Sequence, residues 1–221
     1  MIDFLRKNHV LYYFLFTTLS LFFISCAQNE QNRPTNSNSI DPVVGEAHYI
    51  SGYEPFNADS LVNVVIEIPT GTDAKWEVEK ENGHIAWEML DGEPRVINYI
   101  GYPGNYGMVP KTLAGDGDTI DVLVLGAPID RGMIAETRVI GVLEMLDDGK
   151  QDDKLIAVLT DTHFGRVHNM DDLDQYFPGV STIIELWFDH YKGPGNNVEI
   201  LGLRDVDRAR EILGESIERY K

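Results

Sequence analysis

Alternation of bulky and polar residues dominates the middle of the chain. Residues 61–69 are rich in β-branched side chains, which predicts a strand with Val64, Ile66 and Ile68 on one face and Glu67 on the other. Pro69, Thr70 and Gly71 end it. From Lys75 to Lys80 charged and bulky residues alternate, so Lys75 and Glu77 share a face while Trp76 and Val78 pack behind, and Glu81-Asn82-Gly83 reads as a hairpin turn. Residues 99–110 are too rich in Gly, Pro and Tyr for regular helix. Short apolar runs follow at 122–125, 134–146 and 154–159, the last with Lys154, Ile156 and Val158 on one face. About five short strands at hairpin spacing predict a small barrel.

The period changes in the C-terminal third. After Pro178, the residues Ile183, Ile184, Trp187, Phe188 and Tyr191 recur at helical spacing until Gly193-Pro194 stops them. A second helix is expected from Asp205 as N-cap, with Val206, Ala209, Leu213 and Tyr220 as its apolar stripe. The expected fold class is therefore α+β: a small five-stranded OB-like β-barrel with two C-terminal helices packed outside.

The N-terminus obeys a different rule. Arg6 and Lys7 precede a sixteen-residue apolar run, 10–25, that reads as a secretory signal and is short for a membrane span. It closes on Phe23-Ile24-Ser25-Cys26, which resembles the lipobox of bacterial lipoproteins and marks Cys26 for lipidation. The expected organisation is a signal peptide at 1–26, a flexible polar tether at 27–45 and a folded domain at 46–221, exported and membrane-anchored through an N-terminal lipid.

With 221 residues, 43% of them hydrophobic, the chain can bury the core of one ordinary domain. Its 18 Lys and Arg against 36 Asp and Glu give a formal charge of -18, which opposes nucleic acid. The single cysteine allows neither an intramolecular disulfide nor a cysteine-rich zinc site. Charge is concentrated in two turns, Asp116-Gly117-Asp118-Thr119-Ile120-Asp121 and 147–153. Such clusters repel themselves unless hard cations bind among them. In a small barrel their strand ends can converge, bringing Asp116, Asp118, Asp121, Asp147 and Asp152 together with Glu67 and Glu77 in a pocket of seven carboxylates, with Lys75, Arg95, Lys154 and Lys192 as the cations facing it. Carboxylates for metal plus Lys and Arg for an anion suit metal-assisted phosphoryl transfer.

From about Val64 to Lys192 the sequence closely resembles the soluble Mg²⁺-dependent inorganic pyrophosphatases. The Asp-Gly-Asp-x-x-Asp turn followed by Val122-Leu123-Val124 carries the likeness, together with Val-Ile-Glu67-Ile-Pro, Lys75-x-Glu77-Val, Tyr102-Pro-x-Asn-Tyr106-Gly and the spacing of Asp147, Asp152 and Lys154. Tyr191-Lys192 also ends a helix as that family's pattern requires. Thr119 stands where many relatives have proline, and every acidic ligand remains in place.

That resemblance implies a division of labour. Asp116, Asp121 and Asp152 hold a first Mg²⁺, with Asp121 bridging to a second. Asp147 and Asp152 take a metal arriving with pyrophosphate, while Glu67 and Glu77 act on the metals through water. Mn²⁺ or other divalent ions are alternatives to Mg²⁺. Asp118 is the general base, and Lys75, Arg95, Tyr106, Lys154, Tyr191 and Lys192 grip the phosphoryl groups. A homo-oligomer is expected from relatives only.

The rival reading is a catalytically weak or non-enzymatic lipoprotein that binds divalent cations on the same scaffold. An EF-hand does not fit, because Ile120, Asp121 and Ala127 occupy the fifth, sixth and twelfth loop positions.

Overall fold

The computed structural model describes residues 40–221. The expected signal peptide, Cys26 and most of the tether lie outside the described residues. No helix among the described residues is long and apolar enough to cross a membrane.

Five strands close a barrel, as the alternation predicted: β1 (Val62–Ile68), β6 (Asn105–Met108), β7 (Asp121–Leu125), β10 (Lys154–Leu159) and β8 (Ile134–Asp147). They pair in that order, and β8 returns to β1, so no free edge is left within the ring. All pairs are antiparallel except β7 with β10. Two hairpins hang off the barrel mouth, β2 (Trp76–Val78) with β3 (Ile85–Trp87) and β4 (Met89–Leu90) with β5 (Glu93–Pro94). The β2–β3 turn falls at 79–84, as expected.

The strand β8 is fourteen residues long because it serves several neighbours: β1 and β10 along its first part, then β11 (Val198–Asp205), with the short β9 (Lys150–Gln151) folding back on its end. The strand β11 was not anticipated. Its alternation is broken at Gly202, where the register shifts.

Three α-helices, α1 (Met170–Tyr176), α2 (Val180–His190) and α3 (Val206–Tyr220), replace the two expected. The extra one, α1, buries only Met170 and Leu173, too few for a periodic signal, and its start is fixed by the Asn169 side chain accepting from the Asp172 amide at 2.8 Å. Helix α3 buries Ala209, Ile212, Leu213 and Ser216. Tyr220, assigned to that stripe from sequence, is exposed instead.

Two apolar layers result. One, containing Val64, Ile66, Val122, Val124, Leu155 and Ala157, is covered by α3, and the other lies inside the barrel and under α2. Ile68 belongs to the second layer, not with Val64 and Ile66. The cause is a bulge in β1: Ile66 faces Gly107 and Ile68 faces Tyr106, so Glu67 has no partner and the alternation changes phase.

Gly107 is required where β6 crosses this bulge, since a Cβ there would lie 1.8 Å from the Val65 carbonyl oxygen. Gly107→Ala is expected to cost at least about 3 kcal/mol and lower Tm by roughly 6–12 °C. A thermal melt within about 2 °C of the parent would overturn that account.

Candidate active site

All thirteen residues singled out for the site, Cys26 aside, line one cleft of about 770 Å³ at the barrel mouth. Local strand geometry delivers each of them. The bulge aims Glu67 into the cleft floor, where it is 4% exposed and accepts a hydrogen bond from the Val78 amide at 2.8 Å. Arg131 braces this corner, donating from Nε to the Glu67 carbonyl at 2.8 Å while its guanidinium lies 3.9 Å from the Trp76 ring centroid.

Alternation in β2 works as the sequence suggested. Trp76 is buried and stacks on Trp87 with centroids 5.3 Å apart. Lys75 and Glu77 on the other face come within 3.6 Å of each other.

The parallel pairing of β7 and β10 sets Lys154 opposite Asp121. Lys154 is 2% exposed; its ammonium lies 2.6 Å from Asp121 Oδ2 and also pairs with Asp152. Tyr106, from β6, donates to the same Asp121 oxygen. Asp147, at the end of β8, pairs with Lys192 just beyond α2. Tyr191 caps that helix and stacks on Trp187, whose indole donates to the Ile100 carbonyl at 2.9 Å and packs against Tyr102.

The first acidic turn forms the rim. The Asp118 amide donates to Asp116 Oδ1 at 3.0 Å, Gly117 takes φ +95° to complete the turn, and the Ile120 amide donates to Thr112 Oγ1 at 3.0 Å to fasten it to the core. Opposite stands Lys80 from the β2–β3 hairpin, which pairs with the Asp118 carboxylate and donates to the Gly117 carbonyl at 3.2 Å.

Electrostatics follow from this crowding. Burial pushes the Glu67 carboxyl up to about 8; Lys75 and the Val78 amide pull it down, and Asp121 and Glu77 push it further up. Burial also raises Asp152, with Lys154 opposing and Asp121 and Asp116 adding. For Lys154 burial works against the charged form, but Asp121 and Asp152 outweigh it and hold the ammonium protonated. Lys75 behaves likewise beside Glu67, Glu77, Asp121 and Glu88. Burial raises Tyr102, Tyr106 and Tyr191, so all three remain hydrogen-bond donors at neutral pH.

Nine carboxylates and six Lys or Arg side chains line the cleft, an excess of three negative charges if all ionise. Among the described residues no three carboxylates already converge as a metal-ligand group, since Asp121, Asp152 and Asp147 are turned onto lysines. The donor set is nonetheless all oxygen, without His or Cys, which fits hard divalent cations.

Sequence reasoning did not single out several charged contributors, Glu79 and Lys150 among them. Lys80 and Glu88 also line the cleft, and Arg131 stands behind it. Lys80 and Glu88 each follow a charged or bulky strand position, and only the folded hairpins turn them inward. Ile50, from the segment ahead of β1, lines the cleft as well, and Val43 already pairs with Ile85.

The profile of the family described as inorganic pyrophosphatase matches residues 64–221. The inorganic pyrophosphatases of Agrobacterium fabrum and Corynebacterium efficiens are 40% and 37% identical over 173 and 163 residues, covering 75% and 72% of this chain and 93% and 98% of theirs. The crystal structure of the Thermus thermophilus inorganic pyrophosphatase superposes with a TM-score of 0.68 at 35% identity, over 79% of this chain and 99% of that one. A match of this breadth, over a barrel whose mouth gathers carboxylates and lysines, means that the chain belongs to the inorganic pyrophosphatase family and is an inorganic diphosphatase.

Proposed function

We propose that the cleft hydrolyses inorganic pyrophosphate to two phosphates by direct attack of water, with Asp118 as general base. The observation that carries this reading is the charge imbalance. A cleft with nine carboxylates against six cations repels a pyrophosphate that arrives alone, yet its buried lysines and tyrosines are arranged to receive an anion. Divalent cations resolve the contradiction. Asp116, Asp121, Asp147 and Asp152 would hold Mg²⁺, the ion common in the family, with Glu67 and Glu77 behind them. Bound there, Mg²⁺ supplies charge neutralisation and polarises the attacking water.

The protein groups then divide as follows. Asp118, exposed at the rim and paired there only with the equally exposed Lys80, takes the water's proton as the new P–O bond forms. The bridging P–O bond breaks, and the leaving phosphate carries away the electron pair. Lys75, Arg95, Lys154 and Lys192 stabilise the charge that accumulates on the departing oxygens. Tyr106 and Tyr191, held protonated by burial, donate hydrogen bonds without adding charge. Lys154 pairs with both Asp121 and Asp152, and with those two carboxylates serving as metal ligands its ammonium would be available to phosphate. The non-enzymatic alternative has no support, because no proposed ligand or base is missing.

Phosphate release from pyrophosphate by the purified full chain tests this directly. Activity is expected with Mg²⁺, complete loss in excess EDTA, and recovery on adding Mg²⁺ back. Turnover that survives chelation, or an absence of turnover at any divalent-ion concentration, would remove the proposal.

A further inference from the structure

Glu88 lines the cleft, but none of the roles above uses it. It places a negative charge where an anion must bind, which is unfavourable unless it does something else. The backbone shows how firmly it is held. The Glu88 amide donates to the Lys75 carbonyl at 2.9 Å, the Lys75 amide to the Arg95 carbonyl at 3.0 Å, and the Arg95 amide to the Glu88 carbonyl at 2.8 Å. Trp87 Nε1 adds a fourth bond, to the Arg95 carbonyl at 2.7 Å. Three cleft residues are thereby clasped together. The six residues between Glu88 and Arg95 leave as the β4–β5 hairpin, turned by Asp91 and Gly92 at φ +55° and +86°.

Above the clasp the side chains meet in a particular way. Arg95 Nη1 donates to both Glu88 oxygens, at 2.7 and 2.9 Å. A guanidinium has five N–H donors, so a carboxylate that takes only Nη1 leaves Nη2 and Nε unclaimed by it. The two side chains are 27% and 23% exposed, on the cleft wall that also carries Tyr102 and Tyr191. An ion pair this accessible adds little to stability. Its value lies in removing the rotamer freedom of a long side chain before substrate arrives.

We propose that Glu88 is a positioning residue for pyrophosphate hydrolysis: it grips Arg95 by one nitrogen, leaves the other two for a phosphoryl oxygen, and acts on substrate only through that arginine. This rests on the reading of Arg95 as a phosphate-binding residue. The sequence could not show it, because Glu88 and Arg95 are seven positions apart and are joined only when the hairpin folds.

A double-mutant cycle tests the inference, with kcat and KM for Mg²⁺-pyrophosphate, the affinity for inorganic phosphate by calorimetry, and Tm measured for each protein. Arg95→Ala and Glu88→Ala are each expected to lower kcat/KM by about tenfold or more, mainly through KM, and to weaken phosphate binding. The double variant is expected to be no worse than Arg95→Ala, since Glu88 has nothing to act through once the arginine is gone. Glu88→Gln keeps one oxygen to accept from Nη1 and is expected to recover most of the loss, with Tm of all variants within a few degrees. Losses that multiply in the double variant, or a Glu88→Ala enzyme equal to the parent beside an impaired Arg95→Ala, would overturn the positioning role alone. An Arg95→Ala enzyme equal to the parent would overturn the assignment of Arg95 and this inference with it.

Discussion

Asp118→Asn is expected to lower kcat by about 10²–10⁴-fold, the usual contribution of a general base, with KM changed only a few-fold. Asparagine is close to isosteric, so the turn survives: its hydrogen bond runs from the 118 amide to Asp116 and does not involve the substituted atoms. The side chain is 60% exposed, and the pair it forms with Lys80 is correspondingly weak, so Tm should stay within about a degree or two. A variant that folds, binds phosphate and is slow would isolate proton transfer from binding. If kcat stays within about threefold of the parent, another group takes the proton.

Lys154→Met gives the second large effect, and it strikes folding and chemistry together. The ammonium is nearly inaccessible and is shared by Asp121 and Asp152. Methionine fills the volume but leaves two carboxylates facing each other without a cation. Removing one partner of a buried pair costs about 3–5 kcal/mol, and the low end applies because Asp121 and Asp152 keep 27% and 17% exposure. In EDTA the variant is expected to melt roughly 6–12 °C below the parent. Mg²⁺ should close much of that gap, since it binds the same two carboxylates with no lysine to displace, so the Tm rise on adding Mg²⁺ should exceed the parent's. Activity should nonetheless remain down by roughly a hundredfold from the lost charge-assisted contact to phosphate. A variant whose Tm in EDTA matches the parent, or whose response to Mg²⁺ is no larger, would contradict the shared-lysine account.

The barrel strands and the acidic residues were legible in sequence for one physical reason: both are written locally. Lys75 and Glu77 share a face because a strand has period two, and the largely β-branched Val122-Leu123-Val124 run after a glycine turn reads as a buried strand. What sequence missed depends on pairings between distant segments. Ile68 was placed on the wrong face because a bulge is an event between two strands, and nothing in residues 61–69 announces the mismatch with Tyr106 and Gly107. The same bulge is what directs Glu67 into the cleft. Helix α1 was lost because its sequence, Met170–Tyr176, is mostly polar and its stability comes from a cap and from two buried side chains. Glu88 was overlooked because its partner lies across a hairpin. Locating carboxylates needs only alternation; knowing which cation each one faces needs the folded register.

The parallel register of β7 and β10 carries one further consequence. Lys154 stands opposite Asp121, Leu155 opposite Val122, and so on to Val158 opposite Leu125, so a single ladder fixes both the site and the two apolar layers. A residue added or removed within β10 would swing every side chain to the opposite face, burying the Lys154 charge in the layer where Leu155 and Ala157 now pack and turning those two residues into the barrel interior that Ile156 and Val158 now fill. Indels are thus confined to places such as the Asp91–Gly92 and Asp148–Gly149 turns, where they disturb neither. Inside that ladder the chain cannot trade catalysis away by slippage and keep its fold; drift there must proceed by substitution, one side chain at a time.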